Sequence, residues 1–340
     1  MQINSKLKLN ILKKINSEGV NSVLYLVEDI QLGEQFIVKQ ISKSKFKNTN
    51  KYFEESKKMN KLKHPNIINI KQTSYDDEYI YITMPYMQNG SINSLIYSKY
   101  LTVREIIKYS LGFLSAIYYI HMKGILHCDI KPNNILLNEQ NEAILTDFGS
   151  AIYVDEQGKS RLRNVYYKHI APEQCISPIV DHKVDIYQIG TTLYRMCNGN
   201  EEYNKQAKRY KDLNDLKIAC GKGKFPVRKK YLPHIPKSLI KVIEKCIEVN
   251  PKDRYENVLQ IMNDISEIVD NLDWQYEKID LYLYKWKESN IEIILKKEAN
   301  KWLIKTYYNS YEDKYIEVES KAQGYRYVRK IINEHKKSLT

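Results

Sequence analysis

Two short segments constrain this chain more than anything else in it. His127-Cys128-Asp129-Ile130-Lys131-Pro132-Asn133-Asn134 sets a carboxylate, a lysine and an amide within six residues, and Asp147-Phe148-Gly149 follows with its aspartate eighteen residues after Asp129. Transfer of a phosphoryl group to an alcohol needs one carboxylate to orient the hydroxyl and take its proton, and oxygen ligands to hold Mg²⁺ on the phosphates. Asp129 suits the first role; Asn134 and Asp147 suit the second. Lys131, two residues beyond Asp129, can neutralise charge developing on the transferred group. Either segment alone would pass as a turn beside a glycine or proline, whereas both at this separation point to a single centre.

The apolar pattern sets the architecture around them. Val23-Leu24-Tyr25-Leu26-Val27, Phe36-Ile37-Val38 and Tyr79-Ile80-Tyr81-Ile82 are short strand-like runs, which predict a strand-rich lobe with one helix in its Lys-rich interruption. From Leu101 the spacing turns helical, first through Ile106, Ile107, Leu111, Leu114 and Ile117, later through Leu239, Val242, Ile243, Cys246 and Ile247. Near residue 268 it changes again: runs at Leu281 to Tyr284, Ile291 to Ile294, Trp302 to Ile304 and Tyr315 to Val318 read as strands, and Ala322 to His335 as a closing helix. These changes divide the chain into 1–87, 88–268 and a ββ(β)α module over 269–340.

The paired segments resemble the catalytic loop H-x-D-x-K-P-x-N and the metal-binding D-F-G of the eukaryotic-type (Hanks-type) serine/threonine protein kinases. The resemblance implies a bilobal α+β fold, with 1–87 as N-lobe, 88–268 as C-lobe and the β-rich module appended. It implies ATP and Mg as cofactors and protein substrates phosphorylated on Ser or Thr. It also implies a strand lysine paired with a glutamate on the next helix. Phe36-Ile37-Val38-Lys39 fits the V-A-I-K strand, making Lys39 the phosphate-binding lysine. Glu55, nine residues before His64-Pro65-Asn66-Ile67-Ile68, is its partner by register, with Glu54 as neighbouring competitor. Ile82 to Ser91 resembles the hinge V-M-E-Y-M-x-N-G-S-L: Met84 is the gatekeeper, the Pro85 carbonyl and the Met87 N–H meet the adenine, and Val23 and Leu136 wall it. Pro85 lacks an N–H but keeps its carbonyl, so the substitution does not forbid purine binding.

Ala171-Pro172-Glu173 matches the A-P-E closing the activation segment, with Arg254 as the expected partner of Glu173, and Asp185 resembles the aspartate that anchors the catalytic loop from below. These matches cover about residues 10 to 265. The departures are specific. The phosphate-covering loop, Asn16 to Val23, keeps only Gly19 of three glycines, with Asn16 and Asn21 at the other two positions. Glycine lets backbone N–H groups close on phosphates, so this loop implies a looser hold. Cys128 stands where many members carry an arginine that pairs with a phosphorylated loop, and Tyr166 where Ser/Thr-directed members carry threonine; together they imply activity without loop phosphorylation. A pseudokinase scaffold is the alternative reading, although Lys39, Asp129 and Asp147 are all present.

Composition excludes less. The net charge of +13 invites a nucleic-acid or anionic-membrane partner, but lysines are mixed with acids along the chain, and the dense stretch Lys43 to Lys63 reads as a solvated helix face. In the C-terminal module, Trp286, Trp302, Tyr307 and Tyr308 beside Lys296, Lys297, Lys301 and Lys305 suit either a stacking and phosphate surface or a half-buried sheet with aromatics inside. The near balance of acids and bases there favours the sheet, so nucleic acid is not the favoured partner. The five cysteines show no ligand spacing and read as reduced thiols. No apolar run is long enough to span a bilayer and the first ten residues carry no signal-peptide core, which implies a cytoplasmic protein. No feature fixes the oligomeric state.

Overall fold

A computed structural model of the chain describes residues 8–15, 22–45, 57, 60–162 and 169–337. The first layer is an antiparallel sheet of β1 (Leu9–Ile15), β2 (Ser22–Asp29), β3 (Glu34–Ser42), β4 (Gln72–Tyr75) and β5 (Tyr79–Pro85), ordered β1-β2-β3-β5-β4. β-Branched and aromatic residues dominate β3 and β5, as a pleated, half-buried surface prefers. Alternation then decides what each face carries. Ile37, Ile41, Ile82 and Met84 join the main core, while Phe36, Val38 and Val27 make a small cluster on the opposite side. Lys39 falls between Ile37 and Ile41 in the period of two, opposite Ile82 of β5, and so projects from the core-facing side.

Below the sheet the chain turns helical. α1 (Ile92–Ser98) and α2 (Val103–Met122) each start at a capping box, Ser91 with Ser94 and Thr102 with Glu105. Buried residues along α2 recur at Val103, Ile106, Ser110, Phe113, Ile117 and Ile120, one helical stripe. After α2 come four two- or three-residue strands, in chain order β6 (Ile125–Leu126), β7 (Ile135–Leu137), β8 (Ala143–Leu145) and β9 (Ile152–Tyr153). β6 pairs with β9 and β7 with β8, so the loops carrying Asp129 and Asp147 leave neighbouring ladders. A further pair, β10 (Ser160–Arg161) and β11 (Ile179–Val180), precedes α3 (Lys183–Ala207). α3 is buried all round through its first four turns and kinks at Gly199 (φ 77°). α4 (Leu213–Gly221), α5 (Lys237–Cys246) and α6 (Val258–Ser266) follow, α5 packed against α3 and α6 against α2. A side chain at Gly190 of α3 would put its Cβ 2.5 Å from Ile247 and 2.6 Å from Cys246, so glycine there sets the close crossing of α3 and α5. One continuous apolar core runs from the sheet's inner face through all these helices, each fully buried Ile or Leu contributing about 1.5–3 kcal/mol.

The last 70 or so residues form a meander of β12 (Gln275–Lys278), β13 (Leu283–Glu288), β14 (Ile291–Glu298), β15 (Lys301–Tyr308) and β16 (Tyr311–Val318), with α7 (Lys321–Lys337) laid across it. β12 has no counterpart among the sequence-predicted strands, because its four residues include only one apolar side chain, Tyr276. Positive φ at Asn309 and Ser310 (49° and 73°) marks the mirror-image turn that suits a two-residue hairpin. Trp286, Ile293, Leu295, Ile304, Val328 and Ile332 form a second core. Trp302 also faces it, while Lys301 and Lys305 reach Glu317 and Glu312 of β16 on the outside. The meander is fastened to the helices: Arg104 grips Asp273 with two bonds of 2.6 and 2.7 Å, Tyr100 packs edge-on against Tyr276, and Arg329 donates to the carbonyls of Tyr231, Leu232 and Pro233.

Candidate active site

The loop after β6 is held from three sides before any of its reactive groups is counted. His127 is fully buried; its Nε2–H donates to the Thr146 carbonyl at 3.1 Å, and its Nδ1 accepts the Asp129 N–H at 3.3 Å. Its ring meets Phe148 edge-on at 4.9 Å. One imidazole thus ties the Asp129 segment to the Asp147 segment. From α3, Asp185 accepts the backbone N–H groups of His127 and Cys128, each at 2.8 Å, and the Nε2–H of His121 at 2.7 Å. Burial alone would raise the Asp185 pKa, but the His121 bond and charge and the His127 N–H outweigh it and leave it below the ordinary carboxylate value. Cys128 sits between these bonds with φ 63°, a left-handed conformation that costs a non-glycine residue about 1–3 kcal/mol when held. Burial, with Asp185 and Asp129 nearby, pushes its thiol well up, so it stays neutral.

Asp129 itself is nearly enclosed. Its Oδ2 accepts from Lys131 Nζ at 2.9 Å and from Asn134 Nδ2 at 2.9 Å. Its Oδ1 is buried and has no hydrogen-bond partner among the described residues. Burial raises its pKa, and Lys131 offsets only part of that rise. Asp147 behaves oppositely. It too adopts a left-handed backbone (φ 64°), and its Oδ1 accepts from Lys39 Nζ at 3.0 Å. The group lies deep in the cleft, and burial favours its neutral form, yet Lys39, then Lys131 and His127, carry its pKa below the ordinary value. Although deep, 43% of the side chain remains open to the cleft. Two carboxylates pushed apart in this way divide proton acceptance from permanent ionisation.

Asn134 spends its Nδ2 on Asp129, at 2.8 Å to the carbonyl and 2.9 Å to Oδ2, which leaves its side-chain carbonyl oxygen as a ligand atom. No group of three or more His, Cys, Asp or Glu is gathered for a metal among the described residues, so the donor set here is one carboxylate and one amide oxygen. That set fits a hard cation that keeps waters and takes further oxygens from phosphates, the habit of Mg²⁺.

Of the sequence-predicted residues, Lys39 is bonded to Asp147, Lys131 and Asn134 are bonded to Asp129, and the Lys131 charge acts on both carboxylates. On the nucleotide side, Met84 is buried on β5 opposite Ile37, Pro85 ends that strand opposite Phe36, and Met87 is half-buried just beyond it. Leu136 on β7 bridges to Ser91, and Val23 is half-buried on β2 opposite Gln40. Gly19 and Glu55 lie outside the described residues, as do Glu54, Asn16, Asn21, Tyr166 and Tyr167. Glu173 and Arg254 meet in a two-bonded ion pair of 2.7 and 2.7 Å. Sequence reasoning missed His121, Thr146 and Gln188. Gln188 was signalled by its place three residues after Asp185 on one helix face, whereas Thr146 acts through a backbone carbonyl, for which a sequence carries no signal.

Residues 11–265 match the family model described as protein kinase domain. Among curated proteins the chain is similar to the serine/threonine-protein kinase PrkC of Bacillus subtilis, 29% identical over 272 residues, 77% of this chain and 41% of that protein. It is also similar to the serine/threonine-protein kinase PknD of Chlamydia trachomatis, 26% identical over 293 residues, 75% of this chain and 31% of the relative. The chain therefore spans less than half the length of these relatives.

Proposed function

We propose, from the premise that this chain belongs to the protein kinase family, that it transfers the γ-phosphate of ATP to serine and threonine hydroxyls of protein substrates. The observation that carries the reading is the pair Asp129 and Asp147, brought into one cleft with their pKa values displaced in opposite directions. Asp129 Oδ1, buried and without a hydrogen-bond partner among the described residues, is the oxygen assigned to orient the incoming hydroxyl and accept its proton. Lys131, already bonded to that carboxylate, faces the charge that gathers on the transferred group. Asp147 and the Asn134 side-chain oxygen are the ligands offered to Mg²⁺, which when bound neutralises charge on the phosphates. Lys39 would exchange its bond to Asp147 for the α- and β-phosphates, with Glu55 as its expected steadying partner. Met84, Pro85, Met87, Val23, Leu136 and Gly19 are assigned to the nucleotide.

The scaffold alternative gains no support from a cleft in which Lys39 is bonded to Asp147, Lys131 and Asn134 are bonded to Asp129, and each of the two carboxylates lies within electrostatic reach of Lys131. We place the kinase unit in residues 1–268, divided near 87, and treat 269–340 as an attached module. Its tryptophans lie in a core, so we do not assign it a nucleic-acid partner. Among the described residues no helix is long and apolar enough to cross a membrane. Five free thiols suit the reducing, ATP-containing cytoplasm. Radiolabelled phosphate transfer from ATP to a general protein substrate tests the reading: the wild type incorporates label with Mg²⁺, and Asp147→Asn loses roughly a hundredfold or more. Label incorporated equally by both would sink it.

A further inference from the structure

Gln188 has no part in the chemistry assigned so far, yet it lies beneath the reactive loop. It is 1% exposed on α3. Its Oε1 accepts the Ile130 N–H at 2.9 Å and its Nε2 donates to the Cys128 carbonyl at 3.0 Å. Those two peptide groups flank Asp129. Because one partner is an N–H and the other a carbonyl, the amide's orientation is fixed by what it touches. Asp185, three residues earlier, holds the N–H groups of His127 and Cys128, and Thr192, four later, donates to the Ile130 carbonyl at 3.4 Å. Three side chains on one face of one buried helix therefore grip the loop from 127 to 130. Cys128 is the strained residue in that stretch, and both of its peptide polar groups are taken by this face, its N–H by Asp185 and its carbonyl by Gln188.

We propose that Gln188 is a positioning residue for phosphoryl transfer, its amide clamping the peptide groups on both sides of Asp129 and so fixing where Asp129 Oδ1 points. The inference rests on Asp129 being the proton acceptor. A side chain must accept and donate at once to do this. Alanine and methionine do neither well, and an ionised glutamate can only accept. A glutamate that takes up a proton becomes a near copy of the amide, with one oxygen for the Ile130 N–H and a hydroxyl for the Cys128 carbonyl.

The test compares kcat, KM for ATP, thermal midpoint and amide exchange in the full chain for wild type, Gln188→Ala, Gln188→Glu and Asn198→Ala. Asn198 is also buried on α3 and, among the described residues, its side chain bonds the Tyr194 carbonyl of its own helix and not the Asp129 loop, so it reports the cost of losing a buried polar contact there. Gln188→Ala is expected to lower kcat by about tenfold to a hundredfold while KM for ATP holds within about twofold, because a small misplacement of a reacting group is felt in the chemical step. Its Ile130 amide exchanges faster. Gln188→Glu, expressed as a ratio to wild type at each pH, gains kcat as the pH falls and the carboxyl takes its proton. An unchanged kcat in Gln188→Ala, a Gln188→Glu ratio flat with pH, or an equal loss of kcat in Asn198→Ala at equal thermal midpoint each overturns the inference alone. A wild type that incorporates no phosphate overturns the reading of Asp129 and the inference with it.

Discussion

The loop around Asp129 and the C-terminal meander are both well buried, but they use burial for opposite ends. Around Asp129, charges sit beside one another, an oxygen has no hydrogen-bond partner among the described residues, and Cys128 and Asp147 hold left-handed backbones. In the meander, aromatic and branched side chains fill the interior, charges stay outside in cross-strand pairs, and left-handed residues fall at hairpin turns where the geometry favours them. Of these two regions, the one where chemistry is proposed holds left-handed backbone away from hairpin turns, while among the described residues each has a buried polar atom without a hydrogen-bond partner, Asp129 Oδ1 in the one and Trp286 Nε1 in the other.

That contrast predicts that activity and stability come apart on mutation. The largest effect is expected for Asp129→Asn, which lowers phosphate transfer by roughly 10²- to 10⁴-fold while the thermal midpoint, followed by circular dichroism, does not fall in proportion. Trp286→Ala in the meander reverses the pattern: loss of a fully buried indole costs about 3–5 kcal/mol in denaturant unfolding, with the rate per folded molecule kept within about twofold. Equal rate losses in the two variants would erase the distinction.

A subtler test uses pH. Because burial holds the Asp129 pKa above the ordinary carboxylate value, kcat/KM is lost as the pH falls through that raised value. Lys131 works against the rise, so Lys131→Met, besides slowing transfer, moves the acid limb of the profile to higher pH; a limb that stays put would mean that another group titrates. The smallest effect is expected at Lys301→Ala, whose exposed pair with Glu317 on the meander's outer face contributes no measurable change in thermal midpoint.

How much could be read without coordinates follows the same division. Asp129, Lys131, Asn134 and Asp147 were chosen for the chemistry their spacing encodes, and Lys39 for the likeness of Phe36-Ile37-Val38-Lys39 to the V-A-I-K strand; in the structure the period of two puts Lys39 on the same face as Ile37 and Ile41. The meander's later strands showed in their apolar runs, whereas β12 did not, since Tyr276 is the one apolar residue among its four and packs against Tyr100, far off in sequence. The displacement of the two carboxylates' pKa values depends on burial and on a lysine over a hundred positions away from Asp147. Gln188 shows the same limit: its spacing from Asp185 marks a shared helix face, but what that face grips emerges only from the fold.

Arg329 carries a consequence for how the molecule comes apart. Its guanidinium, on the last helix, occupies three backbone carbonyls of the segment Tyr231 to Pro233, and burial already makes its charge expensive to maintain. Removing the chain from residue 269 onward would strip those carbonyls of their donor and bare the Tyr100 and Leu232 side chains that now abut the second core. The two parts are thus joined as one melting unit, and scanning calorimetry of the full chain is expected to show a single endotherm in place of two.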